Sequence, residues 1–356
     1  MKTWHKVSIG LGAIVGLLLI YLLFWPVAID PAAWTPPEAP ALTGVYEANT
    51  RLASVERLGT GVGVGPEDVA VDDRGRIYSG MEDGRIMRFQ PDGSQPEVFA
   101  DTGGRPLGLH FDAAGNLVVG DALNGLLSIA PDGSITVLST EQGGVPFRCT
   151  DDVDIATDGN IYFSDASFKF TVEDHIADLM EHRPNGRLLA YDPSTKTTRL
   201  VLDNLYFANG VAVSPDQSFV LVVETGKYRV QRYWLTGPRQ GESEVFIDNL
   251  PGFPDGISSN GKDTFWLALA SPRKADVDAM LPQPFLRKII MRLPEAMLPA
   301  AESYGFVLGL DMDGRVIHNL QDPSAGYAQI TSVQEHEGML YLGSLVEDAI
   351  GRLPVP

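Results

Sequence analysis

Thr150-Asp151-Asp152-Val153-Asp154-Ile155-Ala156-Thr157-Asp158-Gly159-Asn160-Ile161-Tyr162-Phe163 decides the fold. A short polar phrase opens it, an apolar-alternating run follows, an Asp-Gly turn reverses the chain, and a second apolar run leaves the turn. Period-two alternation on both sides of Asp-Gly is the pattern of a β-hairpin. The same unit recurs behind Pro66-Glu67-Asp68-Val69, Pro106-Leu107-Gly108-Leu109, Ala208-Asn209-Gly210-Val211, Pro254-Asp255-Gly256-Ile257 and Ile330-Thr331-Ser332-Val333. Strand-turn-strand units repeating every roughly 40–50 residues are the signature of a β-propeller, and the copies here predict a six-bladed one. The second residue of the phrase occupies an equivalent place in every blade and faces a common axis. Glu67, Asp151, Asn209 and Asp255 put a carboxylate or amide there, whereas the other two copies have Leu107 and Thr331. Three carboxylates and an amide converging on a closed axis repel one another unless a hard cation sits between them, and Ca2+ is the cation expected.

The remainder of the 356-residue chain is consistent with this all-β reading. With 44% hydrophobic and 21% charged residues it can bury a sizeable core, and a repeat fold of this length needs no second globular domain. A net charge of −19 excludes nucleic acid as a partner, because such binding needs a basic face. The one cysteine, Cys149, rules out an internal disulfide and reads as a small buried hydrophobe.

Residues 8–25 are apolar throughout, follow Lys2, His5 and Lys6, and are long enough to cross a bilayer. The basic residues precede the span, which places residues 1–7 in the cytoplasm and the propeller on the periplasmic or otherwise extracytoplasmic side. A cleaved signal peptide is the competing reading. The run exceeds a signal-peptide core and no small-x-small site follows it, so an uncleaved transmembrane helix is expected. Residues 26–41 contain Pro26, Pro31, Pro36, Pro37 and Pro40 and predict a stiff extended tether, and residues 42–356 form the propeller.

Closing the propeller requires a strand from the other terminus in the last blade. Leu52–Leu58 is the candidate, against Met339–Leu342 and Gly351–Leu353. Gly59, Gly61, Gly63 and Gly65 lack the strand-before, helix-after setting of a nucleotide loop and read as a flexible entry loop. Two insertions interrupt the repeat with short helical patterns, at 171–183 and 276–299. They are expected either to pack as extra core or to cap one face of the propeller, and such a cap would shape an apolar pocket or equally rest on the membrane.

The stretches Arg183-Pro-Asn-Gly-Arg-Leu-Leu-Ala-Tyr191, Ala208-Asn-Gly-Val-Ala-Val-Ser-Pro-Asp216, Leu250-Pro-Gly-Phe-Pro-Asp-Gly256 and Gln334-Glu-His-Glu-Gly-Met-Leu-Tyr-Leu-Gly-Ser344 resemble the strictosidine synthase-like / adipocyte plasma membrane-associated protein family. More distantly, the chain is similar to gluconolactonase/regucalcin, luciferin-regenerating enzyme and paraoxonase. The resemblance implies a six-bladed propeller with an axial calcium whose ligand positions match Glu67, Asp151, Asn209 and Asp255. Asp151 stands where such relatives often have asparagine. The glutamate that strictosidine synthases use for catalysis is Thr331 here, which disfavours alkaloid condensation. The paraoxonase histidine is matched by Leu107, and the nearby His110 lies within a strand and reads as structural.

Calcium-dependent hydrolysis of lactones or aryl esters remains the expected activity. Asp255 is the candidate proton-transfer or nucleophilic carboxylate, because related hydrolases use the matching position and its Pro-Asp-Gly turn presents the side chain. Asp152 is a second catalytic candidate, and Asp165 and Arg148 are candidates for contacting or orienting substrate. The expected substrate is a small apolar or amphipathic ester or lactone. The competing class is a membrane-tethered binding or scaffold protein in which calcium is only structural.

Overall fold

The computed structural model describes residues 2–356, and side chains from residue 7 onward. Met1 and the side chains of Lys2, His5 and Lys6, on which the cytoplasmic placement of residues 1–7 rests, lie outside the described residues. Among the described residues are six four-stranded antiparallel sheets arranged as propeller blades. Their inner strands are Val69–Val71, Pro106–Phe111, Thr150–Ile155, Ala208–Val213, Gly252–Ser259 and Ile330–His336, and the sequence phrases open or immediately precede each of them. We number the blades 1 to 6 in that order. Blade 6 is closed as expected: Glu56–Leu58 pairs antiparallel with Ile350–Pro354, with Arg57 opposite Gly351.

The propeller is held together between blades. Each second strand is almost wholly buried, as Ile161–Asp165, Phe219–Glu224 and Phe265–Pro272 show along their full length. Ala212 and Leu221 of blade 4 pack on Ile257, Leu267 and Phe306 of blade 5, and Leu109 and Val119 of blade 2 pack on Ala70 and Tyr78 of blade 1. Each fully buried Leu, Ile or Phe contributes about 1.5–3 kcal/mol from leaving water. Removal of a methylene from one wedge is therefore felt by both flanking sheets.

The inner strands share a second feature. In blades 3, 4, 5 and 6 the register with the second strand slips across the phrase, between Thr150 and Val153, Ala208 and Val211, Pro254 and Ile257, and Ile330 and Val333. In blade 2 a shorter slip lies between Pro106 and Gly108. A bulge takes residues out of the ladder and re-aims their side chains, here toward the axis. The phrase thus coincides with a bulge at the inner edge in five of the six blades, whereas blade 1 pairs Val69–Val71 with Ile77–Ser79 in regular register.

The helix α1 (Lys2–Phe24) precedes the propeller, and no residue of its apolar window Val7–Phe24 is buried, although Tyr21 and Leu22 at its end hydrogen-bond to Arg292. By length and composition it can cross a membrane. The first insertion forms α2 (His175–Glu181), and the second forms α3 (Ala275–Met280) and α4 (Pro284–Ile290). Both insertions connect a second strand to a third, so they emerge at the end of the propeller where the phrases begin. The proline-rich segment 26–41 has no helix or strand, but it lies against the body rather than free of it. Ile29 packs with Phe170, Ala177 and Met180, the Ala32 N–H donates to the Glu181 carbonyl at 2.9 Å, and the Trp34 N–H donates to the Leu281 carbonyl at 3.2 Å. The fully buried Arg287 knits this layer by donating to the carbonyls of Met180 (2.7 Å), Leu281 (2.8 Å) and Ala32.

Candidate axial site

The four second-position residues come together. Glu67, Asp151, Asn209 and Asp255 are each at most 8% exposed and line a single cavity of about 340 Å3 on the propeller axis. They influence one another strongly. Burial, followed by the charges of Asp255 and Glu67, holds the Asp151 carboxyl well above the usual range. Asp255 is raised by burial and by Glu67, and a hydrogen bond with the Asn209 side chain opposes that shift. Glu67 is pushed up to about 7 by burial.

One residue that the repeat reading passed over enters here. The Arg105 guanidinium donates to Glu67 Oε2 at 3.2 Å and to the Gly65 carbonyl at 3.1 Å, and it is itself 8% exposed. It supplies the principal opposition to the upward shift of Glu67. Arg105 precedes Pro106-Leu107, so blade 2 brings a cation to Glu67, whereas blades 1, 3 and 5 bring carboxylates.

All-oxygen donors with mutually unfavourable negative charge suit a hard divalent cation. By that chemistry Glu67, Asp151, Asn209 and Asp255 fit calcium. Among the described residues, however, no group of three or more His, Cys, Asp or Glu side chains is drawn close enough to form a metal site as it stands. Part of the repulsion is met instead by the Arg105–Glu67 pair.

The third position of the phrase has a different task. Asp68 accepts its own blade's Val69 N–H at 2.7 Å and the Leu109 N–H of blade 2 at 2.8 Å. Asp152 repeats this one blade pair later, accepting Val153 N–H at 2.8 Å and the Val211 N–H of blade 4 at 2.7 Å. Glycine fills the same position in blades 2, 4 and 5. A Cβ on Gly108 would stand 2.6 Å from Asp152 Cα, and one on Gly256 would stand 2.4 Å from the Thr331 carbonyl oxygen. In blades 1 to 5 the inner strands approach so closely that the side chain here either bonds across the gap or is absent, and blade 6 has Ser332 at this place. Asp152, a catalytic candidate from the sequence, lines the cavity with both carboxylate oxygens already engaged by backbone.

The remaining candidates sit elsewhere. Asp165 is fully buried, pairs with Arg187, and accepts the N–H groups of Arg148 (3.2 Å) and Cys149 (3.1 Å). The Arg148 side chain is exposed. Neither residue lines the axial cavity. His110 does line it, with Nδ1 3.4 Å from Asp154 Oδ1. The Thr331 hydroxyl donates to the Glu67 carbonyl at 2.6 Å and ties blade 6 to blade 1.

The cavity follows the inner strands from the acidic ring to the hairpin end, where Thr157, Ser214, Gln217 and Gly261 line it. No insertion residue lines it, contrary to the expectation that the helices shape the pocket. They instead help cover the other end, where Val172 and Leu179 pack on the cluster of Leu107, Cys149, Ala166 and Phe207.

Comparison with known proteins agrees with this architecture. The strictosidine synthase family pattern matches residues 151–238, and the strictosidine synthase-like N-terminal pattern matches residues 44–89. Strictosidine synthase-like 6 of Arabidopsis thaliana is 39% identical over 309 residues, covering 85% of this chain and 82% of that protein. The adipocyte plasma membrane-associated protein of Bos taurus is 34% identical over 351 residues, covering 91% of this chain and 84% of that one. Among solved structures, a gluconolactonase from Xanthomonas campestris superposes with a TM-score of 0.60 at 17% identity, covering 93% of this chain and 99% of its own. The calcium-binding regucalcin of Agrobacterium tumefaciens gives a TM-score of 0.57 at 14% identity, covering 84% and 90%. At these identities the solved structures show a shared fold. The curated relatives show more: this chain belongs to the strictosidine synthase-like family.

Proposed function

We propose that the protein is a membrane-anchored, calcium-dependent hydrolase of small apolar or amphipathic lactones or aryl esters, working at the propeller axis. The observation that carries the reading is the convergence of Glu67, Asp151, Asn209 and Asp255 on one cavity. Relatives described as gluconolactonase and as calcium-binding regucalcin share the fold and support the choice of chemistry and ion. Glu67, Asp151, Asn209 and Asp255 would hold Ca2+, which when bound supplies a Lewis acid for a substrate carbonyl.

The chain's own residues do the rest. Val153, Val211, Val213, Ile257 and Val333 line the cavity below the ring and offer an apolar wall to the substrate. Asp255 removes a proton from the attacking water as the water oxygen bonds to the acyl carbon. The acyl–oxygen bond then breaks, and the same proton passes to the departing alkoxide. Asp152, held by two backbone N–H groups, positions the inner strands of blades 3 and 4 around the reacting atoms. The α1 helix holds the enzyme to the bilayer, with the propeller on the extracytoplasmic side.

The experiment compares Asp255→Ala and Asn209→Ala with the parent for bound calcium and for ester and lactone turnover. Both variants should lose metal and activity together, and full activity in both would overturn the reading. A second reading, a binding or scaffold propeller with structural calcium, is favoured by the apolar closure around Leu107 and Phe207. It predicts calcium-dependent stability with no turnover.

A further inference from the structure

The insertion layer is tied to the end of α1. Arg292, just beyond α4, donates from Nε to the Trp25 carbonyl at 2.6 Å and from Nη1 to the Leu22 carbonyl at 3.0 Å. The Tyr21 hydroxyl returns a bond to the Arg292 carbonyl at 3.1 Å. The last carbonyls of a helix have no partner within it, and a guanidinium there meets both the unpaired oxygens and the negative end of the helix dipole. Arg292 thus caps α1 from nearly 270 residues away and fixes the second insertion at the point where the apolar window ends. Tyr21 and Trp25, with ring centroids 5.7 Å apart, stand at that same end, where aromatic side chains mark a membrane–water boundary.

Two large apolar side chains of this insertion have no cover. Phe285 is 60% and Met297 62% exposed. Phe285 lies seven residues before Arg292, about 10 Å at helical rise, and Met297 lies five residues after it, at most about 18 Å of extended chain. Both are therefore within reach of the interfacial layer of any bilayer that α1 crosses. Arg183 and Lys288 of this layer are both paired with Asp30 of the docked segment, so the proposed contact rests on the apolar side chains and not on charge.

We propose that the insertion face lies on the bilayer that α1 spans, with Phe285 and Met297 entering the headgroup region, and that the axial cavity opens to water at the opposite, hairpin end. The inference rests on the reading of α1 as an anchor. The docked segment 26–41 leaves no free stalk on which the propeller could turn. The occupant of the exposed apolar surface is the lipid surface itself. Substrate on this arrangement reaches the acidic ring from the aqueous phase through the cavity end lined by Thr157, Gln217 and Gly261.

The test uses the full chain reconstituted in phosphatidylcholine–phosphatidylglycerol vesicles, with an environment-sensitive fluorophore on Phe285→Cys, Met297→Cys, Lys262→Cys or Ile14→Cys in turn. Lys262 lies in the hairpin at the other end of blade 5 from the second insertion. Lipids carrying a quencher near the headgroup should remove most of the emission at 285 and 297 and leave that at 262 unchanged. Quenching by chain-labelled lipid at 14 reports the anchor separately. Quenching at 14 with none at 285 and 297, or equal quenching at 262, would overturn the proposed orientation while leaving the anchor standing. An unquenched probe at 14 would overturn both.

Discussion

Arg105 and Glu67 form an ion pair at 3.2 Å within an axial ring whose other charged members, Asp151 and Asp255, are both acidic. The pair connects metal-free stability to metal affinity. Arg105→Leu leaves the Glu67 carboxylate buried without its cation, and breaking such a pair costs about 3–5 kcal/mol. The metal-free variant should therefore melt well below the parent. The same change removes a competitor for Glu67, so calcium should raise the melting temperature by more in the variant than in the parent. Thermal melts of both proteins with calcium and with chelator check this, and an equal calcium-induced shift would contradict it.

The ring also sets a pH dependence. The Glu67 carboxyl is raised from 4.5 to about 7 in the folded chain, chiefly by burial. A folded-state pKa above the unfolded one means that the folded state holds the proton over that interval. Stability is then lost as pH rises from about 4.5 to about 7, and Asp151 and Asp255 act in the same direction. Calcium requires the ionised form, so its affinity should climb through the same window. Melting curves of the chelated protein should fall across this range, and calcium titrations should tighten across it. A chelated protein that gains stability between those pH values would show the ring to be ionised and already neutralised.

Asp152 and Gly108 test the packing of the inner strands. Asp152→Ala leaves the Val211 N–H without its partner, a loss of about 1–3 kcal/mol. Gly108→Ala would press a methyl against the backbone of residue 152 and should cost at least as much. Both should lower the denaturant midpoint in the presence of saturating calcium. If Asp152→Ala kept its midpoint but lost turnover, Asp152 would instead belong to the reacting groups.

Asp165 is predicted to matter for folding alone. Asp165→Ala strands the buried Arg187 and should destabilise by about 3–5 kcal/mol. The kcat of the surviving folded protein should match that of the parent, measured well below its melting temperature. Replacing both partners, as Asp165→Leu with Arg187→Met, should recover much of the loss.

The blades and their closure were legible because hairpin alternation and Asp-Gly turns are local. Leu52–Leu58 could be assigned to blade 6 because a closed propeller leaves one edge to fill. The second-position residues were legible for the same reason: a bulge at a repeated place aims a repeated side chain. Arg105 was not, since it falls just before the phrase in one blade and its partner lies 38 residues earlier. The choice of Asp (Asp68, Asp152) or Gly (Gly108, Gly210, Gly256) at the third position was visible in the sequence, but its meaning depends on how closely neighbouring inner strands approach. The docking of segment 26–41 was hidden by composition. Proline content sets stiffness, whereas contacts from Arg287 and Glu181, far along the chain, decide where the segment lies. Asp165, a candidate from its place near the Asp151 loop, proved to be aimed at Arg187 by a strand pairing that brings residue 187 opposite it.

The most direct test of the account is hydrolysis of a panel of lactones and aryl esters by the full chain in detergent, with calcium and with chelator, with bound metal measured on the same samples. The account predicts turnover of at least one substrate that disappears with the metal and returns when calcium is restored. Turnover that persists in metal-free protein, or bound calcium with no turnover on any substrate, would contradict it.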